Sequence, residues 1–126
     1  MATAIRGCLS YSSSPSMLTG PQLPSAVFVN NDFLAIVVLK AALRCGIHVP
    51  GDLSVVGFDD ISFAALCTPS LTTVHYPMDE MARRAATALL DRIEGRDVSD
   101  GAATVGTSVV FAPTLVCRES SAPPAR

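Results

Sequence analysis

The sequence predicts an α/β fold built on a parallel sheet. Residues 26–29 form a short apolar run rich in Val and Phe, as in a buried strand. Residues 33–43 are almost unbroken apolar residues with good helix formers among them, and residues 53–58 are a second β-branched run. A strand, a helix of about three turns and another strand form a βαβ unit, in which the strands run parallel and the crossover is right-handed.

The composition is that of a globular domain. The chain has 126 residues, of which 49% are hydrophobic and 16% charged. A chain of this length forms one domain and buries about two thirds of its unfolded surface. Nine basic residues stand against eleven acidic ones and do not cluster, so we do not expect this segment itself to bind nucleic acid. The longest apolar run contains Lys40 and is too short to span a membrane.

The cysteines and histidines do not predict catalytic or metal chemistry. Cys8, Cys45, Cys67 and Cys117 lack the short spacing of a metal site. We expect free, buried thiols in a cytoplasmic protein that has neither a metal nor a cofactor. His75 has no evident Ser or Cys partner, so the sequence does not predict an enzyme.

Polar residues follow both strands of the βαβ unit. Asn30, Asn31 and Asp32 follow the first strand, and Asp59 and Asp60 follow the second. Ligands of open parallel sheets bind outside the carboxyl ends of the strands, and neighbouring strands lie about 5 Å apart. Amide and carboxylate groups placed together suit a small polyhydroxylated ligand. Alternatively, Asn31 or Asp32 only caps the helix and Asp59–Asp60 only forms a turn.

A second helix is predicted over residues 78–94. Asp79 and Glu80 lie in its first turn and Arg92 in its last, which suits the helix dipole. Its apolar residues recur at helical spacing, and we expect them to pack in a core. They are Met78, Met81, Ala82, Ala85, Ala88, Leu89 and Ile93.

The remaining segments predict short elements. Residues 61–68 read as a loop or a short helix, and residues 71–76 alternate in the manner of a strand. Residues 107–112 and 114–117 predict two short strands separated by a proline. We expect residues 122–126 to be a frayed tail.

Several motifs occur in an order and spacing that is similar to one known family. They are N-D after the first strand, G-x-x-V-P-x-D-x-S-V-V-G-F-D-D, P-x-L-T-T-V and a terminal R-E-S. Residues 25–121 resemble the C-terminal part of the effector-binding domain of LacI/GalR-family transcriptional regulators. The resemblance implies a periplasmic-binding-protein-like (type I) sensor fold of which only the C-terminal portion is present. We expect a truncated piece of a regulator that is marginally stable alone, with residues 1–24 a disordered leader or remnant.

The resemblance also implies a site for a small-molecule effector, often a sugar. Asn31 and Asp59 match its pattern, and Tyr76 stands where the family commonly has Gln. Asp32 is expected to cap the helix, and Asp60 to brace the turn. The residues expected to support the site are Asn30, Asp32, Phe58 and Asp60.

In the resembled family, operator DNA binds to a helix-turn-helix that is missing from this chain. The family dimerises partly through the helix after Asp32, so Ile36, Leu39 and Lys40 are candidates for a homodimer interface. A helix enclosed within one chain is the alternative. Other functions left open are a solute-binding protein of the same fold, which the lack of a signal peptide disfavours, an enzyme, and an inert fragment.

Overall fold

The computed structural model describes residues 24–95 and 109–123. The chain divides into two compact units, Met1–His75 together with Thr114–Arg126, and Tyr76–Pro113. Its elements are β1 (Ala26–Phe28), α1 (Asp32–Arg44), β2 (Ser54–Phe58), α2 (Ser62–Leu66), β3 (Thr72–His75), α3 (Met78–Ile93) and β4 (Thr114–Val116). The predicted leader at residues 1–24 lies outside the described residues, except for Pro24.

The strands form one sheet in the order β1-β2-β3-β4. β1 and β2 are parallel, with Phe28 opposite Val56, and β2 and β3 are parallel, with Phe58 opposite Val74. β4 runs antiparallel to β3, with Leu115 opposite Val74. The predicted parallel βαβ unit is therefore confirmed, and an antiparallel strand extends it at one edge.

The core is formed by one face of α1 and the apolar residues of the strands and adjoining loops. α1 packs against β2, and its buried positions include Ala35 and Ala42, whose small side chains let helix and sheet approach closely. Each fully buried Val or Leu side chain contributes roughly 1.5–3 kcal/mol relative to exposure. The core residues are Val27, Val29, Ala35, Val38, Leu39, Ala42, Leu53, Val55, Ala64 and Leu71.

Local signals fix both ends of α1. At its start Asn31 has an extended backbone, and its side chain accepts a 2.8 Å hydrogen bond from the backbone N–H of Leu34. At its end Gly46 has a φ of 72°, a conformation that glycine adopts without steric cost. The expectation that Asp32 caps the helix was wrong, because Asp32 is already the first helical residue and Asn31 is the cap.

The C-terminal segment is built into the sheet. Ser120 is buried, and its hydroxyl donates to the carbonyl of Val55 at 2.6 Å and accepts from the N–H of Thr72 at 2.8 Å. The hydroxyl of Ser54, the first residue of β2, donates to the carbonyl of Ala122 and accepts from its N–H, both at 3.2 Å. Ala122 is thus not frayed, and residues 124–126 lie outside the described residues.

α3 is the helix of the second unit and is followed by Gly95, with a φ of 64°. None of its residues is buried among the described residues, so the prediction that its apolar stripe packs in a core was wrong there. Periodicity predicts an apolar face, but it does not supply the surface that covers it. The large exposed apolar residues are Met78, Met81, Leu89, Leu90 and Ile93. No helix in the described part of the chain is long and apolar enough to cross a membrane.

The prediction of a strand over residues 107–112 was wrong for residues 109–112. Residues 109–112 form no strand, and residues 107 and 108 lie outside the described residues. These positions immediately precede Pro113, which has no N–H to donate to a ladder.

The thiols differ in part from expectation. Cys45, Cys67 and Cys117 are free, but Cys45 and Cys117 are exposed and only Cys67 is half-buried. Cys45 is the residue that caps the C-terminal end of α1. Cys8 lies outside the described residues.

Candidate functional site

The carboxyl ends of β1 and β2 bring two predicted site residues to the same level of the sheet. Phe28 lies opposite Val56 in the parallel register, and three residues further along each strand stand Asn31 and Asp59. Asn31 itself has φ −155° and ψ 162°, an extended backbone, and it follows a bend at Asn30. Asn30, just before it, is exposed. An amide and a carboxylate thus follow the carboxyl ends of two neighbouring parallel strands.

The side chain of Asn31 uses one of its two polar atoms to cap α1. Its Oδ1 accepts the capping hydrogen bond from Leu34, which fixes the orientation of the amide because a backbone N–H needs an oxygen acceptor. Among the described residues, no hydrogen bond involves its nitrogen. Capping and ligand binding are thus compatible at this residue.

Asp59 and Asp60 form a turn in an unusual backbone conformation. Their φ angles are 113° and 53°, in the region that residues with a Cβ disfavour. Such conformations cost of the order of 1–3 kcal/mol each and persist only where surrounding contacts impose them. Here the N–H of Asp59 donates to the carbonyl of Val74 at 3.0 Å, and that of Asp60 to the hydroxyl of Thr73 at 3.4 Å.

The buried carboxylate of Asp32 connects the segments that surround the candidate site. Its side chain is fully buried, and its Oδ2 accepts from the N–H of Ile61 at 3.0 Å. Its Oδ1 accepts from the hydroxyl of Thr73 at 2.6 Å. Both donors are neutral, and together they tie the first turn of α1 to β3 and to the segment that follows β2.

Gly57 is the residue that allows Asp32 to occupy this position. A Cβ on Gly57 would overlap the Asp32 carboxylate and would lie 3.0 Å from the Leu71 side chain and 3.3 Å from that of Ala35. Sequence reasoning did not single out Gly57, although a glycine inside a strand is a known signal of close approach by another group.

The carboxylate of Asp60 is held by two side chains that are distant in sequence. Its Oδ1 accepts from Nη2 of Arg118 at 2.7 Å, and its Oδ2 lies 3.1 Å from Nδ1 of His75. Nη1 of Arg118 donates to the carbonyl of Leu71 at 2.8 Å. The sequence points to Arg118 only as part of the R-E-S motif. It does not predict the contact with Asp60, because the two residues are 58 positions apart.

The family of periplasmic binding protein-like domains matches residues 5–121. The chain belongs to this family. The match extends the resemblance drawn over residues 25–121 toward the N-terminus and confirms the periplasmic-binding-protein-like sensor fold. Together with the repressor relatives described next, it confirms the resemblance to the effector-binding domain of LacI/GalR regulators.

Its relatives include transcriptional repressors. The HTH-type transcriptional repressor CytR of Escherichia coli strain K12 is 39% identical over 95 residues, which are 75% of this chain and 28% of CytR. The ribose operon repressor of the same strain is 43% identical over 77 residues, 61% of this chain and 23% of the relative. The chain thus spans about a quarter of the length of these relatives, which are repressors and not enzymes.

The solved structures that the chain resembles include a LacI family transcriptional regulator from Lactobacillus casei with bound sucrose. It has a TM-score of 0.62 and 38% identity, and the match covers 78% of this chain and 34% of the regulator. The similarity therefore extends from sequence to fold.

The two remaining candidates for the site, Phe58 and Tyr76, belong to different compact units of the chain. Phe58 is the last residue of β2 and is half-buried. Tyr76 is the first residue of the second unit and is also half-buried, and its carbonyl accepts from the N–H of Met78 at 2.8 Å.

The three interface candidates on α1 of this domain differ in exposure. Lys40 is exposed and Ile36 half-buried, but Leu39 is only 6% exposed. Leu39 packs in the core of its own chain, which leaves little of its surface for a partner, and its place in an interface stays a prediction. The large exposed apolar residues of α1 are Phe33, Val37 and Leu43.

Proposed function

We propose that this chain is the effector-sensing portion of a LacI/GalR-type transcriptional regulator, and that it binds a small polyhydroxylated molecule, a sugar. The observation that supports the proposal is the parallel pairing of β1 and β2, since Asn31 and Asp59 each stand three residues beyond the paired residues Phe28 and Val56. The repressor relatives and the sucrose-bound regulator from Lactobacillus casei support it.

In this proposal, the two side chains recognise sugar hydroxyls in opposite senses. The amide nitrogen of Asn31 donates to a hydroxyl oxygen, and the carboxylate of Asp59 accepts from a hydroxyl hydrogen. Tyr76, the remaining candidate for effector binding, offers a hydroxyl and an aromatic face. A hydrogen bond to a charged group is worth about 1.5–3 kcal/mol, so Asp59 supplies the larger share. Binding needs neither a metal nor a cofactor, and no reaction follows it.

The proposed regulator acts in the cytoplasm through two coupled sites. The effector binds to the sensor domain, and operator DNA binds to a helix-turn-helix supplied by other parts of the whole protein. The exposed face of α1, including Ile36 and Lys40, contributes to a homodimer interface. Coupling requires that the effector and the operator favour different global states of the dimer.

Thermal unfolding of the purified chain with D-glucose, D-ribose, sucrose and cellobiose tests the proposal. A sugar that binds the native state raises the unfolding temperature, and the stabilisation grows with the logarithm of one plus the ratio of free sugar to Kd. We expect Asp59→Asn to weaken binding of that sugar about tenfold or more, equivalent to about 1.4 kcal/mol.

The matched control is Asp52→Asn. Asp52 is an exposed carboxylate that precedes β2, at the opposite edge of the sheet, and its hydrogen bond from the N–H of His48 can be kept by an amide oxygen. The control should bind as the wild type does. Equal affinity of all three proteins would remove Asp59 from the site, and no stabilisation by any of the four would count against a sugar effector.

A further inference from the structure

Arg118 connects the C-terminal segment to the turn that carries Asp59. Its Nη2 lies 2.7 Å from Oδ1 of Asp60, and its Nη1 donates to the carbonyl of Leu71. The backbone of Arg118 is itself fixed, since its N–H donates to the Thr72 hydroxyl at 2.9 Å. The guanidinium therefore spans from the start of β3 to the turn after β2.

Arg118 is the stronger of the two side-chain partners of Asp60. Its guanidinium is permanently charged, and both of its arms are engaged in a planar geometry, which adds strength and direction. It is 19% exposed, whereas His75 is 48% exposed and more accessible to competing water. The Asp60 carboxylate is consequently oriented mainly by Arg118.

The Asp60 half of the turn relies on this side-chain contact, because the N–H of Asp59 makes a 3.0 Å hydrogen bond to Val74 but that of Asp60 is held only weakly. The hydrogen bond from the N–H of Asp60 to Thr73 is 3.4 Å long, near the limit for such a bond. Asp59 and Asp60 both have positive φ values, which need support from their surroundings. The Arg118–Asp60 pair supplies a short, charge-assisted contact at this point.

We propose that Arg118 is a positioning residue for the effector site: by holding the Asp60 carboxylate, it keeps Asp59 in the geometry that presents it to the ligand. The identity of the site rests on the proposed function, whereas the effect of Arg118 on the turn does not.

Amide hydrogen exchange measured by NMR tests the effect on the turn without any ligand. In Arg118→Gln we expect the Asp59 amide to exchange about tenfold faster than in the wild type, as in local opening. The amide of Val29, bonded to Val56 at 2.8 Å in the β1–β2 ladder, should keep its rate. Arg84→Gln, a substitution of an exposed arginine on α3, is the matched control and should change neither rate.

Two exchange results would overturn the proposal. An unchanged rate at Asp59 would show that Arg118 does not hold the turn. An equal acceleration at Asp59 and Val29 would show general loosening instead of positioning. If Arg118→Gln does not fold, Asp60→Asn cuts the same contact from the other side and is judged by the same two amides.

Sugar affinity provides the second readout. For whichever of D-glucose, D-ribose, sucrose and cellobiose binds the wild type, Arg118→Gln should weaken binding about fivefold or more, a coupling typical of linked groups. Arg118→Lys should recover part of the loss, and the Arg118→Gln, Asp60→Asn double variant should bind no worse than the weaker single variant. Full additivity would contradict positioning through Asp60. If none of the four binds the wild type, the proposed function fails, while hydrogen exchange still decides the role of Arg118.

Discussion

The hydroxyl of Thr73 donates a 2.6 Å hydrogen bond to Oδ1 of Asp32, and both side chains are fully buried. The other oxygen of Asp32 accepts from the N–H of Ile61. One carboxylate therefore joins the first turn of α1, the third strand and the segment after the Asp59–Asp60 turn. A hydrogen-bonded network of this kind keeps the carboxyl edge of the sheet in a single arrangement.

Replacing Asp32 should destabilise the fold. In Asp32→Ala, the Ile61 N–H and the Thr73 hydroxyl lose their acceptor, and a buried donor left unpaired costs about 1–3 kcal/mol. Asp32→Asn keeps one acceptor oxygen and should cost less than Asp32→Ala. Urea-induced unfolding followed by circular dichroism measures both free energies of unfolding. Wild-type stability in Asp32→Ala would show that the network contributes nothing.

Gly57→Ala should also destabilise the chain. The added methyl group would overlap the Asp32 carboxylate, and such overpacking costs about 1–3 kcal/mol. Gly51→Ala is the control, because a Cβ at position 51 would lie 3.6 Å from the Cβ of His48, which is an ordinary contact. Thermal unfolding should show a lower midpoint for the first variant alone, and equal midpoints would refute the close approach.

Two substitutions of Asn31 separate capping from binding. Asn31→Ala removes the cap and should cost about 1 kcal/mol of stability. Asn31→Asp keeps the acceptor for the Leu34 N–H but loses the amide donor, so it should preserve stability and weaken sugar binding. Unfolding midpoints with and without sugar report both effects. Unaltered affinity in Asn31→Asp would limit Asn31 to its structural role.

The stability of the chain should depend on pH through Glu119. Hydrogen bonds from the N–H and the hydroxyl of Ser70, both 2.9 Å, lower the pKa of this exposed carboxyl below its ordinary value of 4.5. A lowered pKa in the folded state stabilises the fold above the unfolded pKa, and this contribution is lost as the pH falls through the folded pKa.

Glu119→Gln should therefore have a lower unfolding midpoint than the wild type at pH 7. The difference should shrink as the pH falls from about 4.5 through the lower pKa of the folded state, below which the wild-type carboxyl is protonated in both states. Unfolding curves of both proteins, recorded at pH 7 and again below the pKa of the folded state, measure this difference in midpoint. A difference that stays constant with pH would show that the charge of Glu119 is not responsible.

The parts of the fold that could be predicted are those with local signals. The βαβ unit is encoded by two apolar runs and a helix that is followed by Gly46, all within one stretch of chain. The identity of the cap was not encoded so clearly. Asn31 and Asp32 are both suitable cap residues, and the extended backbone of Asn31, which sequence alone does not reveal, decided between them.

The long-range contacts of the site could not be predicted. Arg118 meets Asp60 across 58 residues, and Ser120 meets Val55 across 65. Neither pairing follows from periodicity, because each depends on which strands are neighbours and on how the terminal segment returns to the sheet. The R-E-S motif indicated that the segment matters, without indicating what it contacts.

The central claim is that the edge formed by Asn31 and Asp59 binds a sugar, and chemical-shift mapping tests it most directly. The ¹⁵N-labelled chain would be titrated with D-glucose, D-ribose, sucrose and cellobiose. With one of them, we expect saturable shifts of the Asn31 and Asp59 amides and of the Asn31 side-chain amide, with none at His48 or Gly51 at the opposite edge of the sheet. Shifts confined to that opposite edge, or no saturable shift with any sugar, would contradict the claim.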